Sequence, residues 1–502
     1  MGIDIGTQGV RCCVADGEGR LLSAREEKYP SFYPRPGYAE QSPEDWIRCL
    51  EKAVSGCREQ VKDRFAEISG VAVCSTSSTV VPVGKDGAPL SNAILWMDNR
   101  AAEQAEKINS TGHEILKHCG GKVSVEWLVP KMMWLRDRQP DLFAEARHIV
   151  EAQDYINHYL TGVWAASACQ AACKANYVED EGGFNAAFFD EIGFPEFFDK
   201  AVSSVLNEAE PVGKITKETA ERLGLPESAV VYQGGVDAHV NMIGLGLCRS
   251  GETGLVMGSS FVHLALTDKP FFGGGIWGPY KNAVVPGKYC LEGGQVSAGS
   301  IVKWFINEFG VSAENPFEFL GAGAAKLPRG NDGLLLLDFF QGNRTPYKDS
   351  NAKGAYYGLT LAHTRFHMYR AILEGVAFGT RNILETIEKG AGAIKELRGC
   401  GGAARNELWL KIISDVTGKQ IVLTENSDCA GILGGAIIAA VGSGFYKNFE
   451  SACGAMTKIT RVVDPDMAGH KEYFAFYQRY LRLYQSTRRL NAQHEELLLS
   501  NA

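Results

Sequence analysis

An isolated acidic residue stands in the stretch VVYQGGVDAHVNMIGLG, residues 230–246. Asp237 follows an apolar run and two glycines, a pattern typical of a side chain at the end of a buried strand. A carboxylate held at such a place is a candidate for chemistry. The alternative is that Asp237 caps a helix starting at Ala238, because Asp is a favoured cap residue, and the two roles can coexist.

Three turns of small residues also follow predicted strands: DIGTQG at 4–9, GSS at 258–260 and GGAA at 401–404. Turns of this kind expose successive backbone N–H groups, which bind phosphate oxygens. One such turn alone would mean little, because glycine is common in ordinary turns. Together they indicate a phosphate ligand.

Other motifs for phosphate binding or catalysis are absent from the sequence. No Gly-Lys pair is followed by Ser or Thr at Walker A spacing, and there is no H-E-x-x-H, G-x-S-x-G or EF-hand loop. The segment GCGGAA at 399–404 fits G-x-G-x-x-A, but no ribose-binding acid can be placed after it, so it is weak support for a dinucleotide site.

Composition narrows the functional class. The 502 residues suggest two large domains, and 45% hydrophobic and 22% charged residues are typical of a globular protein. A net charge of -8 without a basic stripe argues against nucleic acid and favours small metabolites as partners. The N-terminus lacks the pattern of a signal peptide and the longest apolar stretch, residues 429–445, is too short to span a bilayer, so we expect a buried helix there and a cytoplasmic protein.

The 13 cysteines are scattered along the chain without C-x-x-C spacing. This pattern argues against a disulfide framework and against a zinc site. We therefore expect reduced thiols.

Strands and helices alternate along the chain. A strand–turn–strand pattern opens the sequence and recurs at 252–267, a strand is predicted within 228–235, and Ser42 before Pro43 predicts a helix start. Further helices are predicted near 99–109, 130–137, 153–160, 298–309 and 363–389. These patterns predict a mixed α/β fold with two lobes, 1–246 and 247–502, that each begin with a glycine-tipped hairpin.

Segments along nearly the whole chain resemble the FGGY carbohydrate kinases. They are GIDIGTQGVR, YPRPGYAEQSPEDW, ILWMDNRA, GGVDAH, GLVMGSSF, GAYYGLTLAHTRFHMYRAILEG and GGAARNELWLKIISDVTG, in the order of that family. The segment from Gly354 to Glu374 resembles the family's C-terminal signature. The resemblance implies two actin-like, or ribonuclease H-like, α/β lobes with sugar and nucleotide in the cleft between them.

The same resemblance assigns roles to residues at the cleft. Asp237 would be the catalytic base that takes the proton of a sugar hydroxyl as it attacks the γ-phosphorus of ATP. Asp4 would help to hold Mg²⁺, usually through water. The nucleotide contacts implied are Gly6, Thr7, Gln8, Arg11, Gly258, Ser259, Ser260, Gly299, Gly402, Ala403 and Asn406. Lys411 stands where many relatives have Gln, which leaves the adenine contacts of its helix open.

The sugar site resembles the ribulokinase branch. STSSTVVPV at 75–83 is similar to the ribulokinase TTGSTPVPV, and LEGGQ at 291–295 to LEAGQ. The sugar contacts implied are Thr76, Ser77, Trp96, Asp98, Lys174, Asp237 and Glu292. Alternatively, Lys174 is a solvated surface residue, Asp98 a turn residue and Trp96 a core residue.

The preferred hypothesis is an ATP- and Mg²⁺-dependent kinase whose substrate is a pentulose of the ribulose type. A xylulokinase or a kinase of ribitol, erythritol or glycerol is the alternative within the family. An actin-like, chaperone-type ATPase and an inactive sugar sensor are alternatives from other classes. The configuration of the sugar and the oligomeric state, including a homodimer, stay open.

Overall fold

Two large mixed β-sheets with helices packed on them form the framework of the protein. A computed structural model describes residues 1–311 and 313–500, with side chains through residue 493. The strands of the first half are β1 (Gly2–Ile5), β2 (Gly9–Ala15), β3 (Leu21–Lys28), β4 (Glu40–Gln41), β5 (Gly70–Ser75), β6 (Val80–Val83), β7 (Ala93–Ile94), β8 (His148–Glu151), β9 (Ala166–Ser167), β10 (Val205–Leu206), β11 (Pro211–Lys214) and β12 (Val230–Tyr232). The helices of that half are α1 (Pro43–Val61), α2 (Ala102–Thr111), α3 (Leu128–Arg138), α4 (Pro140–Glu145), α5 (Ala152–Thr161), α6 (Ala168–Lys174), α7 (Ala186–Glu191), α8 (Phe197–Lys200), α9 (Lys217–Leu223) and α10 (Asp237–Gly244).

The second half continues the alternation. Its strands are β13 (Thr253–Met257), β14 (Phe261–Thr267), β15 (Trp277–Lys281), β16 (Tyr289–Gln295), β17 (Leu335–Leu337), β18 (Ala355–Tyr357), β19 (Glu396–Cys400), β20 (Gln420–Thr424) and β21 (Ile459–Val463). Its helices are α11 (Gly299–Glu308), α12 (Pro316–Ala324), α13 (Arg365–Ala391), α14 (Glu407–Thr417), α15 (Ala430–Gly442), α16 (Phe449–Met456) and α17 (Met467–Ser500). Short 3₁₀ helices cover Lys62–Glu67, Glu114–Cys119, Glu179–Glu181, Asn331–Gly333, Gly402–Arg405 and Ser427–Cys429.

The two large sheets have the same internal plan. The first has the order β11-β12-β5-β1-β2-β3, and the second β15-β16-β14-β13-β19-β20-β21. In the first sheet, β1 pairs with β2 as an antiparallel hairpin and with β5 in parallel. In the second sheet, β13 pairs in the same way with β14 and with β19. The predicted repetition of a hairpin and α/β lobe is confirmed. The boundary at residue 246 stays a prediction, because residues of α15 pack on the first sheet rather than the second.

The side chains of β1 alternate between two buried faces. Ile3 and Ile5 join the apolar cluster beneath α1, while Asp4 points to the opposite face, as the period of two requires. The α1 helix begins as predicted: Ser42 is its N-cap and accepts the Asp45 N–H at 3.4 Å. The strand therefore carries a carboxylate between two layers of packing.

Helices α10 and α15 pack closely and connect the two halves of the molecule. A Cβ on Gly244 would lie 1.8 Å from the Ala430 carbonyl oxygen, and one on Gly434 would lie 2.2 Å from that of Val240. Only glycine permits such an approach of two backbones. Helix α15 is the expected buried helix, and burying a side chain such as Ile437 contributes about 1.5–3 kcal/mol.

The long α17 helix packs on the core of the second half through its aromatic side chains. Four of its tyrosines are buried in the core of the second half: Tyr473, Tyr477, Tyr480 and Tyr484. Within the described residues, no helix is both long enough and apolar enough to cross a membrane.

Candidate active site

A cavity of about 250 Å³ lies where the end of β5 and the start of α10 meet the β13–β14 hairpin. Residues from both halves of the chain line it. Those predicted from the sequence are Thr7, Thr76, Ser77, Trp96, Lys174, Asp237, Gly258, Ser260 and Glu292. The fold therefore brings predicted sugar residues and predicted phosphate residues to one space.

Asp237 is the first residue of α10, and Val236 is the N-cap. The carboxylate accepts the N–H of the next residue, Ala238, at 2.6 Å. The alternative in which Asp237 caps a helix starting at Ala238 is therefore wrong, because the helix begins one residue earlier. The Asp237 side chain remains directed at the cavity.

Asp4 and Asp237 form a pair of interacting carboxyl groups, of which Asp4 is buried and Asp237 half-buried. Burial raises the pKa of Asp237, and burial together with the charge of Asp237 raises the pKa of Asp4. Both shifts follow because removing a carboxylate from water, and placing it near a second one, disfavours the charged form. A cation bound beside Asp4 would offset the cost of keeping that carboxylate charged.

The surroundings of Asp4 suit a hard cation. The side-chain oxygens of Asn241 and Asp4 both face Gly431, which has no side chain. A Cβ added to Gly431 would lie 3.4 Å from the Asn241 Oδ1 and 3.6 Å from the Asp4 Oδ2. Carboxylate and amide oxygens are the donors that Mg²⁺ prefers, usually with water completing its shell. Asp4 and Asn241 thus offer donors that fit Mg²⁺.

Lys174 and Glu292 face each other across the sugar side of the cavity. The Lys174 Nζ lies 3.9 Å from the Glu292 Oε2 and 5.1 Å from the centre of the Trp127 ring. Burial alone would raise the pKa of Glu292, but the charge of Lys174 leads the effects that hold it below its usual value. Glu292 Oε2 has no hydrogen-bond partner among the described residues, so an acceptor is available to a ligand.

Polar side chains from β5 and the following turn complete this wall. The Thr76 hydroxyl lies 2.8 Å from that of Thr79, and the buried Ser77 Oγ has no partner within the described part of the chain. The Trp96 indole donates to the Thr7 hydroxyl at 3.0 Å. Trp96 therefore joins the predicted sugar wall to the first phosphate turn.

Asp98 does not reach the cavity, which corrects the sequence-based expectation. Its side chain is fully buried and accepts bonds from Arg100 at 2.7 Å and from the Ala39 N–H at 2.6 Å. Both carboxylate oxygens are occupied by the protein, so none is left for a sugar hydroxyl. Its role is structural.

The second and third predicted phosphate turns, at 258–260 and 401–404, lie at one edge of the second sheet. The Ser259 carbonyl accepts the N–H groups of Ala298 and Ser300 at 3.0 Å, and a Cβ on Gly299 would lie 2.5 Å from the Gly258 carbonyl oxygen. A Cβ on Gly401 would similarly lie 2.7 Å from the carbonyl oxygen of Met257, at the end of the neighbouring strand. The loops after β13 and β19 are therefore adjacent.

The remaining predicted nucleotide residues lie outside the cavity lining. Gln8 is exposed beside Gly6, and Arg11 pairs with Glu26 at 3.3 Å on the neighbouring strand. Gly402 and Ala403 lie in the 3₁₀ helix after β19. Asn406 is the N-cap of α14, accepting the Trp409 N–H at 3.1 Å and donating to Tyr369. Nucleotide contacts at these positions stay predictions.

Several cavity residues were missed by the sequence reasoning: Glu126, Trp127, His239, Asn241 and Arg344. Asn241 follows Asp237 by one helical turn, and that spacing is a signal that could have identified it. Trp127 and Arg344 lie in segments without periodicity, so local patterns carried no such signal.

Comparison with known proteins identifies two matching family models. Residues 1–244 match the N-terminal domain, and residues 254–443 the C-terminal domain, of the FGGY family of carbohydrate kinases. A human FGGY carbohydrate kinase domain-containing protein is 30% identical, with 96% of this chain and 95% of that protein covered. A ribulokinase of Bacillus licheniformis is 32% identical, with 89% and 87% covered.

Solved structures agree on the fold. A xylulose kinase from Rhodospirillum rubrum superposes with a TM-score of 0.88 at 24% identity, covering 98% of this chain and 99% of that one. A glycerol kinase from Plasmodium falciparum, crystallised with ADP, gives 0.84 at 20% identity, covering 96% and 97%. The two-lobed, actin-like architecture implied by the resemblance is therefore confirmed.

Proposed function

Because the chain belongs to the FGGY family of carbohydrate kinases, we propose that it transfers the γ-phosphoryl group of ATP to a hydroxyl of a pentulose, of the ribulose type. The observation that carries this proposal is the composition of one cavity. Asp237, the Lys174–Glu292 pair and the Gly258 turn line it together. A base, a polyol-binding pair and a phosphate cradle are the parts that such a transfer requires.

Asp237 is the group that accepts the proton of the attacking hydroxyl. Its position at the first turn of a helix packed against α15 holds the carboxylate in place, and a positioned base contributes about 10²–10⁴-fold in rate. The elevated pKa makes this carboxylate a stronger base than an exposed Asp. The proton passes to Asp237 as the new O–P bond forms and the bond to ADP breaks.

The backbone turns supply the electrostatic part of the reaction. The Gly6 and Gly258 N–H groups close their own turns by donating to the carbonyls of Gly9 and Ser260 at 3.0 Å. The turns so formed would present their remaining N–H groups to the terminal phosphates, where negative charge accumulates. Asp4 and Asn241 would hold Mg²⁺, which would supply positive charge against the charge of the phosphates. Closure of the lobes would then exclude water from the phosphoryl group.

The preference for a ribulose-type sugar rests on the polar wall. Lys174 and Glu292 provide a charged donor and a charged acceptor to neighbouring hydroxyls, and charged hydrogen bonds discriminate more sharply than apolar contacts. The 32% identity to a ribulokinase supports the same choice. A xylulose kinase of Bacillus subtilis at 28% identity over 98% of this chain keeps xylulose as the alternative.

A coupled ADP-release assay tests this proposal. The purified protein is given ATP, Mg²⁺ and, in turn, D- and L-ribulose, D- and L-xylulose, ribitol, erythritol and glycerol. We expect the highest kcat/KM with one ribulose enantiomer. A preference for xylulose or a polyol would contradict the substrate assignment, and sugar-independent ATP hydrolysis or no turnover would contradict the kinase itself.

The Lys174→Met variant identifies the source of the preference. We expect its KM for the preferred pentulose to rise at least about tenfold, because a charged hydrogen bond is lost and Glu292 loses its partner. Lys281→Met, at a lysine paired with Asp180 outside the cavity lining, is the matched control. Equal KM values in the two variants would contradict the role of Lys174.

A further inference from the structure

Two cysteines and a histidine converge directly beneath the sugar side of the cavity. Cys169 and Cys173 lie one turn apart on α6, and His239 lies on α10. All three are buried, with His239 the most exposed at 2%. One ligand atom from each lies within 4.8 Å of the other two, a cluster that a metal ion could bridge.

The spacing of these atoms approaches that of a tetrahedral zinc site. With Zn–S near 2.3 Å and Zn–N near 2.05 Å, a tetrahedral angle places sulfur and nitrogen about 3.6 Å apart. The Cys173 Sγ lies 3.7 Å from the His239 Nε2. Cys169 needs to move by no more than about 1 Å to reach the corresponding sulfur–sulfur separation of about 3.8 Å.

The donor chemistry of this cluster is that of a zinc site. His239 Nδ1, also buried, has no hydrogen-bond partner within the described residues, so no contact of the protein fixes a tautomer that would prevent Nε2 from binding a metal. Two thiols and one imidazole nitrogen are the soft donor set that zinc prefers over magnesium.

We propose that Cys169, Cys173 and His239 bind one Zn²⁺ as three of its ligands. Each thiol that binds releases its proton to solvent, and the resulting thiolate forms the bond to zinc. The Cys169 thiol donates to the Ala283 carbonyl at 3.0 Å, and that bond is given up on binding. The Val236 N–H, 3.3 Å from the same sulfur, remains as a donor to the thiolate.

The position of the cluster gives the ion a role in organising the site. Cys173 precedes Lys174, and His239 follows Asp237 by two residues. An ion joining α6 to α10 fixes the positions of Lys174 and Asp237 at the floor of the sugar cavity. The effect on sugar binding rests on the proposed function, whereas metal content does not.

The sequence had argued against zinc because the cysteines show no C-x-x-C spacing. Cys169 and Cys173 are instead related by one helical turn, and His239 comes from a distant segment. Helix periodicity places residues four apart on one face, so C-x₃-C within a helix presents two thiols together. Only the tertiary fold adds the histidine.

The test is the zinc content of the full-length protein, reconstituted with Zn²⁺ alone and passed through a desalting column. We expect about one zinc per chain in the wild type and less than about 0.1 in Cys173→Ser and in His239→Asn. Cys453→Ser is the matched control, since Cys453 is buried beside Cys248 without a histidine, and it should keep its zinc. Wild-type protein without zinc, or variants that retain it, would overturn the proposal.

A second measurement does not depend on the folding of the variants. Wild-type protein loaded with Co²⁺ should show tetrahedral d–d bands together with sulfur-to-cobalt charge-transfer absorption. Both should disappear on addition of an equivalent of Zn²⁺, which binds the same donors more tightly. A cobalt spectrum typical of octahedral oxygen ligation would refute the thiolate site even if some zinc were retained.

Discussion

Replacement of Asp237 by Asn tests the assigned base. The substitution keeps the size of the side chain and can keep the bond from the Ala238 N–H, 2.6 Å from Oδ1, through the amide oxygen. It removes the ability to accept a proton. We therefore expect sugar and ATP KM values within about threefold of wild type, and a kcat lower by roughly 10² or more, the scale of general-base catalysis.

The pH profile adds a second signature. With burial raising the pKa of Asp237 to about 6, roughly 97% of the groups are ionised near pH 7.5. As pH falls through 6 the base becomes protonated, so log(kcat/KM) of the wild type should decline with a slope approaching one. The residual activity of Asp237→Asn should lack this acidic limb.

The matched control is Asp338→Asn. Asp338 is also buried with a pKa raised to about 6, but it bonds to Tyr480 and Gln295 in the core of the second half and does not line the cavity. Its kcat should stay within threefold of wild type. The reasoning would be refuted by a kcat loss under threefold in Asp237→Asn, or by an equal loss in both variants.

Three further substitutions separate structural from functional roles. Asp98→Asn should lower the free energy of unfolding by about 3 kcal/mol, because it breaks a buried ion pair, while leaving the sugar KM within twofold; a large KM rise would restore Asp98 to the sugar site. Gly299→Ala should raise the KM for ATP at least about tenfold, since its Cβ would meet the Gly258 carbonyl oxygen at 2.5 Å, whereas Gly454→Ala, in open space, should be neutral in the same assay. Asp154 has its pKa raised to about 8 by burial, so between about pH 4 and 8 the native state holds a proton that the unfolded state releases, and stability falls by up to about 1.4 kcal/mol per pH unit. Urea unfolding should accordingly show Asp154→Asn gaining on wild type from pH 6 to 8, and parallel curves would contradict the linkage.

Much of the fold could be predicted because local signals were strong. The cap at Ser42, the glycine-tipped hairpins and the apolar periodicity of 363–389 each correspond to an element in the structure. The α1 helix starts where predicted, and the ends of β13–β14 and α13 are shifted by one and two residues. Such shifts are expected because helix and strand ends depend on packing as well as propensity. The hairpin pattern that occurs twice in the sequence predicted two similar lobes, and the two large sheets show this repetition.

The site was predicted less completely because burial and partners are tertiary properties. Asp98 and Lys174 are both single charges beside apolar residues in the sequence, yet the first is enclosed with Arg100 and the second faces the cavity. Nothing local distinguishes them. Arg344 lines the cavity from a segment outside the helices and strands, where no hydrophobic periodicity predicts the direction of a side chain.

A complex with a non-hydrolysable ATP analogue, Mg²⁺ and the preferred pentulose tests the central claim most directly. We expect sugar and triphosphate to occupy the cavity together, with the acceptor hydroxyl within about 3.2 Å of an Asp237 carboxylate oxygen and in line with the γ-phosphorus. A sugar bound elsewhere, or an acceptor hydroxyl facing a different base, would contradict it.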